Sequence, residues 1–150
     1  MPYLCIKITT MTTNHASLPG TFRLIDIPRR TDERGALCFA ENCHLPFRVE
    51  RVFWIFGVPE GKTRGGHAHR TCAEVVFPVN GSFDMFVDDG QTRRTFHMER
   101  PDQGIYIGPE VWCELRNFAP GTICVVVASQ EYDAEGYINE YEDFKKQYED

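Results

Sequence analysis

The sequence of 150 residues predicts an all-β fold, a sandwich or barrel of short strands, that ends in one α-helix. From Phe22 onward, short runs of β-type residues are separated by turn residues without a low-complexity linker. Near the C-terminus the periodicity changes, because aromatic residues recur at steps of four, three and four, which is helical spacing. These residues are Tyr137, Tyr141, Phe144 and Tyr148. The helix is expected to pack this aromatic stripe against the sheet.

Nine runs of residues predict the strands in order. The first four are FRLIDI (22–27), ALCFA (36–40), RVFWIFGV (51–58) and EVVFPV (74–79). SFDMFV (82–87) and TRRTFHM (92–98) follow, joined as a hairpin by Asp88-Asp89-Gly90. In the first of these two runs, Phe83, Met85 and Val87 share one face. The series ends with GIYIG (104–108), VWCELRN (111–117) and TICVVVAS (122–129), the last of which is apolar on both faces.

Length and composition favour a single domain over residues 21–150, since 42% hydrophobic residues suffice for a core. Residues 1–20 lack sustained periodicity and are predicted to form a flexible arm. A net charge of -6 argues against nucleic acid and anionic membrane as partners. The six cysteines form no CxxC pair, and no run is long enough to span a membrane. Free thiols and a soluble cytoplasmic protein are therefore expected.

The residues that indicate chemistry lie between Gly61 and Gly81. His67 and His69 are two positions apart, so on a strand both imidazoles project from one face and can converge on one ligand or metal. Glu74 follows and can add a carboxylate to the same pocket. The order is Gly, five residues, His-x-His, four residues, Glu, six residues, Gly. This spacing resembles the first motif of the cupins, which implies a cupin-type jelly roll with one C-terminal helix.

The second cupin motif is a His followed four residues later by an Asn. Here Cys113 takes the His position, and Asn117 follows. A thiolate can bind zinc or iron, so Cys113 is a candidate fourth ligand of a metallo-cupin beside the two histidines and Glu74. The loss of the His also fits a cupin that holds no metal. The residues themselves leave both alternatives open.

A closer resemblance covers the chain from about Phe22 to its end. The segments that carry it are DERGAL (32–37), LPFRVERVF (45–53), TRGGHAHR (63–70), NGS (80–82) ahead of DDG, GIYIGPEVW (104–112) and ASQEYDAEGYINEYEDFKK (128–146). They resemble the sugar-nucleotide 3,4-ketoisomerases, metal-independent cupins that act on dTDP-4-keto-6-deoxyglucose. The resemblance implies an isomerase without metal or other cofactor, in deoxyamino-sugar synthesis for surface polysaccharide. It also implies a homodimer that exchanges N-terminal strands.

Such an isomerase moves a ketone from C4 to C3 of the hexose through an enediol, which requires a base with a pKa near neutrality. The resemblance implies that His67 and His69 are the catalytic acid/base pair, with His67 as the base at C3. Arg64, three residues before His67, is the nearest donor for the enediolate oxygens. Tyr106 is a further candidate for the substrate site, although the sequence does not fix which face of its strand it occupies.

Several positions depart from the family pattern. Arg34 matches an arginine of the branch that makes the galacto-configured product, but Cys113 fits neither that branch, which has His there, nor the gluco branch, which has Arg. Phe53 and Trp54 replace a pair of tyrosines, and Glu74 replaces the usual Gln. Arg34, Glu74 and Cys113 are nevertheless predicted to bind substrate, while the C4 configuration of the product stays open. The same departures keep a non-catalytic sugar-nucleotide-binding cupin as an alternative.

Overall fold

The computed structural model describes residues 21–149, and the arm predicted for residues 1–20 lies outside them. Two five-stranded sheets form the body of the fold, and their strand pairings are antiparallel. The strands are β1 (Phe22–Asp26), β2 (Arg29–Asp32), β3 (Gly35–Cys38), β4 (Arg51–Phe56), β5 (Arg64–His69), β6 (Glu74–Asn80), β7 (Phe83–Asp88), β8 (Arg93–Met98), β9 (Gln103–Ile107), β10 (Trp112–Arg116), β11 (Ile123–Ala128) and β12 (Tyr137–Ile138). The helical elements are the 3₁₀ turns Asn42–His44 and Ala134–Gly136 and the helix α1 (Tyr141–Lys146).

The first sheet has the order β1-β9-β6-β11-β4 and the second the order β12-β5-β10-β7-β8, while β2 and β3 form a separate hairpin. The main core lies between the two sheets and takes side chains from both. On β7, Phe83, Met85 and Val87 are fully buried in this core, as the alternation predicts. The predicted hairpin also forms, with Asp88 opposite Arg93. The prediction of an all-β jelly roll with one C-terminal helix is confirmed.

The C-terminal helix is shorter than predicted, since α1 has only 6 residues. Tyr137, which the aromatic spacing assigned to the helix, lies in β12 and pairs with His69 on β5. This pairing gives backbone partners to a strand that would otherwise be a sheet edge, so the chain stays extended there. Tyr141 and Phe144 do pack on the sheet, with ring centroids 5.2 and 5.9 Å from that of Trp112. Within the described part of the chain, no helix is long and apolar enough to cross a membrane.

The cysteines do not all behave as predicted. Cys38, Cys72, Cys113 and Cys124 are free thiols. Cys43 is disulfide-bonded, so the prediction of free thiols is wrong at this position. Spacing along the sequence does not reveal such a bond, because the distance between two cysteines in the fold decides whether they can pair.

Candidate active site

A cavity of about 490 Å³ lies between the two sheets, where β4, β5, β6, β10 and β11 meet the segment that leads into α1. Its apolar wall consists of Phe53, Ile55, Val76, Leu115 and Val126. Its polar lining consists of Thr63, Arg64, His67, Glu74, Cys113, Tyr132, Tyr137 and Asn139. A cavity that combines an apolar wall with convergent polar groups is a usual form of a small-molecule site.

Strand β5 carries the histidines and lies unusually close to β10. Gly65 has a φ of +76°, and a Cβ added to it would lie 3.0 Å from the carbonyl oxygen of Cys113. Only glycine combines this backbone conformation with so close an approach. Two residues later the strands are in register, with His67 opposite Cys113. The glycine thus allows β5 to bring His67 to the wall that β10 forms.

The two histidines meet on one side of β5. The ring centroids of His67 and His69 are 4.8 Å apart in an edge arrangement. The Nε2 atom of His69 lies 2.7 Å from Oε1 of Glu74, and both side chains are buried. This contact pairs an imidazole with a carboxylate but does not give Nε2 regular hydrogen-bond geometry. His67 lines the cavity, whereas His69 is not part of its wall.

Arg51 completes a buried charge cluster behind the cavity. One of its guanidinium nitrogens lies 3.7 Å from Oε1 of Glu74, and its side chain is only 17% exposed. Its guanidinium also lies over the rings of Phe53 and Tyr132, at 5.3 and 5.7 Å from their centroids. Burial favours the protonated form of Glu74, but contact with His69 and the nearby positive charges hold the pKa of this carboxyl below its usual value. Glu74 is therefore an anion at neutral pH.

The surroundings of His67 keep it neutral. Burial lowers the pKa of His67, and the neighbouring His69 lowers it further, while Glu74 and a backbone hydrogen bond at Gly65 act in the opposite direction. Its Nε2 atom is buried and has no hydrogen-bond partner within residues 21–149. Leaving such a nitrogen unpaired is costly. A neutral imidazole in the wall of a cavity, with an unused nitrogen, has the properties of a general base.

Cys113 lies in the cavity wall as an unreactive thiol. Burial raises the pKa of Cys113, and the negative charges of Glu74 and Glu114 raise it further. The thiolate, which is the nucleophilic and metal-binding form, is therefore strongly disfavoured. The side chain contributes shape and an apolar surface next to His67.

Three side chains are close enough together to hold a metal ion. The ligand atoms of His67, His69 and Glu74 lie within 4.8 Å of one another. Two histidines and one carboxylate form a known metal-binding set. However, Oε1 of Glu74 is already in contact with His69 and lies near Arg51, whose positive charge opposes a second cation. The geometry favours an ion-paired carboxylate over a metal ligand.

Tyr137 is a residue of the site that the sequence did not predict. It lines the cavity, and its ring centroid lies 4.9 Å from that of His67 and 4.5 Å from that of His69. Burial raises the pKa of Tyr137, although the neighbouring Arg51 opposes the rise. The sequence does contain a pattern that indicates a strand here, namely Tyr137-Ile138 directly after a glycine. The helical spacing of the aromatic residues favoured a helix instead.

Four of the seven predicted site residues line the cavity, and His69 lies behind its wall in contact with Glu74. Arg64 lies in the lining together with His67, Glu74 and Cys113. Arg34 lies on the β2–β3 hairpin with its side chain 83% exposed and paired with Asp32 at 2.6 Å. Arg34 is not among the lining residues, and its hairpin forms a sheet separate from the two that enclose the cavity.

The prediction that Tyr106 contributes to the substrate site is not supported. Tyr106 is 3% exposed and packs with Ile25, Phe47 and Val75 in a second cluster. Its neighbours on β9, Ile105 and Ile107, face the main core instead. Because side chains alternate along a strand, Tyr106 points to the opposite side of the sheet.

Comparison with known proteins places these features in context. The family model described as "FdtA: WxcM-like, C-terminal" matches residues 20–149. The TDP-4-oxo-6-deoxy-alpha-D-glucose-3,4-oxoisomerase of Aneurinibacillus thermoaerophilus is 36% identical over 125 residues, which are 83% of this chain and 90% of that protein. A 3,4-ketoisomerase from Helicobacter canadensis has a similar structure, with a TM-score of 0.82, 31% identity and coverage of 86% of this chain and 98% of that chain. The sugar 3,4-ketoisomerase QdtA from Thermoanaerobacterium thermosaccharolyticum, in complex with TDP, has a TM-score of 0.81, 31% identity and coverage of 84% and 93%.

Proposed function

The chain belongs to the FdtA, WxcM-like C-terminal family, and we propose that it is a sugar 3,4-ketoisomerase that acts on TDP-4-keto-6-deoxyglucose. It is an isomerase, as its named relatives are, and the relative from Aneurinibacillus thermoaerophilus is named for a TDP-sugar substrate. The observation that carries the proposed reaction is the neutral His67 in the wall of a cavity large enough for a sugar. The product in this proposal is the 3-keto isomer.

In the proposed mechanism, His67 removes the proton from C3 of the hexose. The electron pair of that bond forms the C3–C4 double bond of an enediol, and protonated His67 then returns its proton at C4. The proton of O3 is transferred to O4 in the same conversion. His69 is the second member of the acid/base pair, and its contact with Glu74 stabilises positive charge on the imidazoles during the transfer. Arg64, in the cavity lining, donates to the developing enediolate oxygens. Glu74 and Cys113 line the wall beside the sugar.

We also propose a homodimer that exchanges N-terminal strands. The β2–β3 hairpin is exposed along most of its length, and a lone hairpin is only marginally stable in water. On the edge strand β4, Val52, Trp54 and Phe56 are exposed on one face, a pattern that a second copy would cover. In such a dimer the hairpin would carry Arg34 to the cavity of the other copy. Sedimentation analysis should give twice the chain mass of 17.3 kDa, and a monomer would contradict this arrangement.

The remaining proposals concern the setting of the reaction. The enzyme is proposed to be a single cupin domain over residues 21–150 that works without metal or other cofactor. We propose that it acts in the cytoplasm, in deoxyamino-sugar synthesis for surface polysaccharide. Its partner is the TDP-linked sugar, and it binds neither nucleic acid nor membrane.

The direct test is turnover by chelator-treated protein. The purified chain is incubated with TDP-4-keto-6-deoxyglucose, and the 3-keto product is trapped with a sugar aminotransferase. Conversion without added metal is expected. Binding of TDP without any conversion would identify a non-catalytic sugar-nucleotide-binding protein and overturn the proposal.

A metal-dependent cupin enzyme is the second candidate, and the close spacing of His67, His69 and Glu74 favours it. In that case these side chains would hold a zinc or iron ion that polarises the substrate carbonyl. Elemental analysis would then find about one metal per chain, and chelation would abolish activity. Full activity at well under one metal per chain would exclude this candidate.

A further inference from the structure

The buried carboxylate of Glu74 has a partner that does not reach the cavity. Arg51, on β4, is not among the lining residues of the cavity, yet one of its guanidinium nitrogens lies 3.7 Å from Oε1 of Glu74. The same oxygen lies 2.7 Å from Nε2 of His69. Glu74 therefore lies between a guanidinium and an imidazole and contacts both through one atom. Arg51 can thus affect the orientation of His69 through this carboxylate without touching the substrate.

We propose that Arg51 is a positioning residue for His69, which it orients through Glu74, an inference that rests on the proposed ketoisomerase function. Within residues 21–149, the ion pair with Glu74 is the only one that Arg51 forms. Without Arg51, the buried carboxylate would keep His69 as its only ion-pair partner. Removing one partner of a buried charge is strongly unfavourable, so the carboxylate would move towards solvent in the cavity. That movement would release the imidazole of His69 from the contact that fixes its ring.

Several contacts hold the guanidinium of Arg51 in place. It lies over the rings of Phe53 and Tyr132, and it is a hydrogen-bond partner of the Tyr137 hydroxyl. Its Nε atom is buried and has no hydrogen-bond partner among the described residues. Because an unpaired buried donor is costly, the contacts with the rings and with Glu74 must outweigh that cost. A planar guanidinium suits such a position, since it can stack on rings and pair with a carboxylate at once.

The position of Arg51 argues against direct binding of the substrate. Its side chain is only 17% exposed. The rings that it contacts, those of Phe53 and Tyr132, belong to the cavity lining, whereas Arg51 does not. Arg64 is the arginine of the lining, and it is exposed. The cation that meets the substrate and the cation that holds Glu74 are therefore different residues.

The test is a double-mutant cycle between Arg51 and Glu74. Arg51→Met removes the charge and keeps an unbranched side chain that can pack against the same rings. We expect its kcat, expressed per folded enzyme, to fall by about 10- to 10²-fold, part of the usual effect of an acid/base group, with KM little changed. The variant that combines Arg51→Met with Glu74→Gln should keep the kcat of Glu74→Gln alone, because a neutral Gln needs no counter-charge.

Two further measurements distinguish a positioning role from a general loss of structure. The Kd for TDP should stay within about twofold of wild type in all three variants, since the changes lie behind the cavity wall. The control is Arg100→Met, because Arg100 is exposed and pairs with Asp102 on the surface. It should retain wild-type kcat. If Arg51→Met does not fold, Arg51→Gln takes its place in the cycle with the same expectations.

The outcomes separate this inference from the proposed function. A wild-type protein that does not convert TDP-4-keto-6-deoxyglucose overturns the proposed function. An active wild type with Arg51→Met within about threefold of its kcat overturns only the role of Arg51. Losses that multiply in the double variant also overturn it, because they would show that Arg51 acts independently of Glu74. A folded Arg51→Met that loses TDP binding together with activity would assign Arg51 to substrate binding and contradict the inference.

Discussion

His67 and His69 are two positions apart on one strand and share one face of it, yet their surroundings differ. His67 lines the cavity, and no described residue takes a hydrogen bond at its Nε2 atom. His69 is buried behind it, with its Nε2 atom 2.7 Å from the carboxylate of Glu74. The spacing of the two residues thus brings their imidazoles together, but their surroundings differ. His67 is left accessible to a substrate in the cavity, whereas His69 is held in contact with a carboxylate.

The difference shows how two histidines of one strand motif can have different tasks. Oε1 of Glu74 lies next to both His69 and Arg51, so this ion-paired group is centred on His69 and not on His67. Burial and the neighbouring His69 lower the pKa of His67, which keeps that imidazole uncharged and ready to accept a proton. A contact of Glu74 with His67 would instead raise the pKa of the imidazole at the cavity and leave less of it in the form that accepts a proton.

The largest expected effect comes from removing the histidine that faces the cavity. His67→Asn keeps a polar side chain of similar size but cannot accept the C3 proton, so kcat should fall by about 10²- to 10⁴-fold. Affinity for TDP, measured by calorimetry, should change little. His97→Asn is the control, since His97 pairs with Asp84 on the exposed face of β8. Equal losses in the two variants would contradict a special role for His67.

A smaller effect is expected from removing the charge behind the cavity. Glu74→Gln leaves Arg51 and His69 without their buried counter-charge, so the free energy of unfolding should fall by about 1–3 kcal/mol. The activity should fall by about tenfold, because the imidazoles lose the carboxylate that stabilises their protonated forms. Chemical denaturation and steady-state kinetics measure the two effects.

Glu99→Gln is the matched control for this variant, because Glu99 is exposed and contacts only the exposed His97 among the charged partners that the structure describes. It should change neither quantity. A Glu74→Gln variant as stable and active as wild type would mean that the family's usual Gln serves as well here, and that the charge of Glu74 is not needed.

The pH dependence should distinguish a buried His67 base from an ordinary histidine by about twofold in rate at pH 6.5. A base works only when unprotonated, and burial lowers the pKa of His67, so its unprotonated fraction is lost only at a pH below the ordinary histidine value. At pH 6.5 an ordinary histidine base would have lost about half of its activity. We expect kcat/KM to stay nearly constant from pH 7.5 to 6.5 and to fall at lower pH. A midpoint at or above pH 6.5 would contradict the assignment of His67 as the base.

Much of the fold follows from local patterns in the sequence. Alternation predicted the buried face of β7, where Phe83, Met85 and Val87 lie in the core. The aromatic spacing near the C-terminus predicted a helix that includes Tyr137, and this prediction is wrong. Tyr137 pairs with His69 on β5, and this backbone pairing keeps the chain extended before α1 begins. Long-range pairing of this kind leaves no trace in a local periodicity.

The residues of the site could be predicted from the sequence where their positions depend on spacing along one strand. They could not be predicted where they depend on which face of a strand a side chain occupies or on a second copy of the chain. The positions of His67 and Glu74 follow from the first motif. The direction of Tyr106 depends on the parity of β9, which pairing with β1 and β6 sets. No residue of the hairpin that carries Arg34 lines the cavity, so a contact of Arg34 with the substrate would require the proposed second copy.

The smallest effect is expected at Cys113, the residue opposite His67 on β10. As a protonated thiol it contributes only contact, so Cys113→Ala should raise KM by about twofold through lost dispersion and leave kcat unchanged. Cys124→Ala makes the same change in the core on β11, where burial raises the pKa of the thiol to about 12 and no cavity residue is removed. Both variants should lose a similar free energy of unfolding, because each leaves a small void. A fall in kcat above about tenfold for Cys113→Ala alone would show that the thiol takes part in proton transfer. His67 would then not be the only group on this wall that moves a proton.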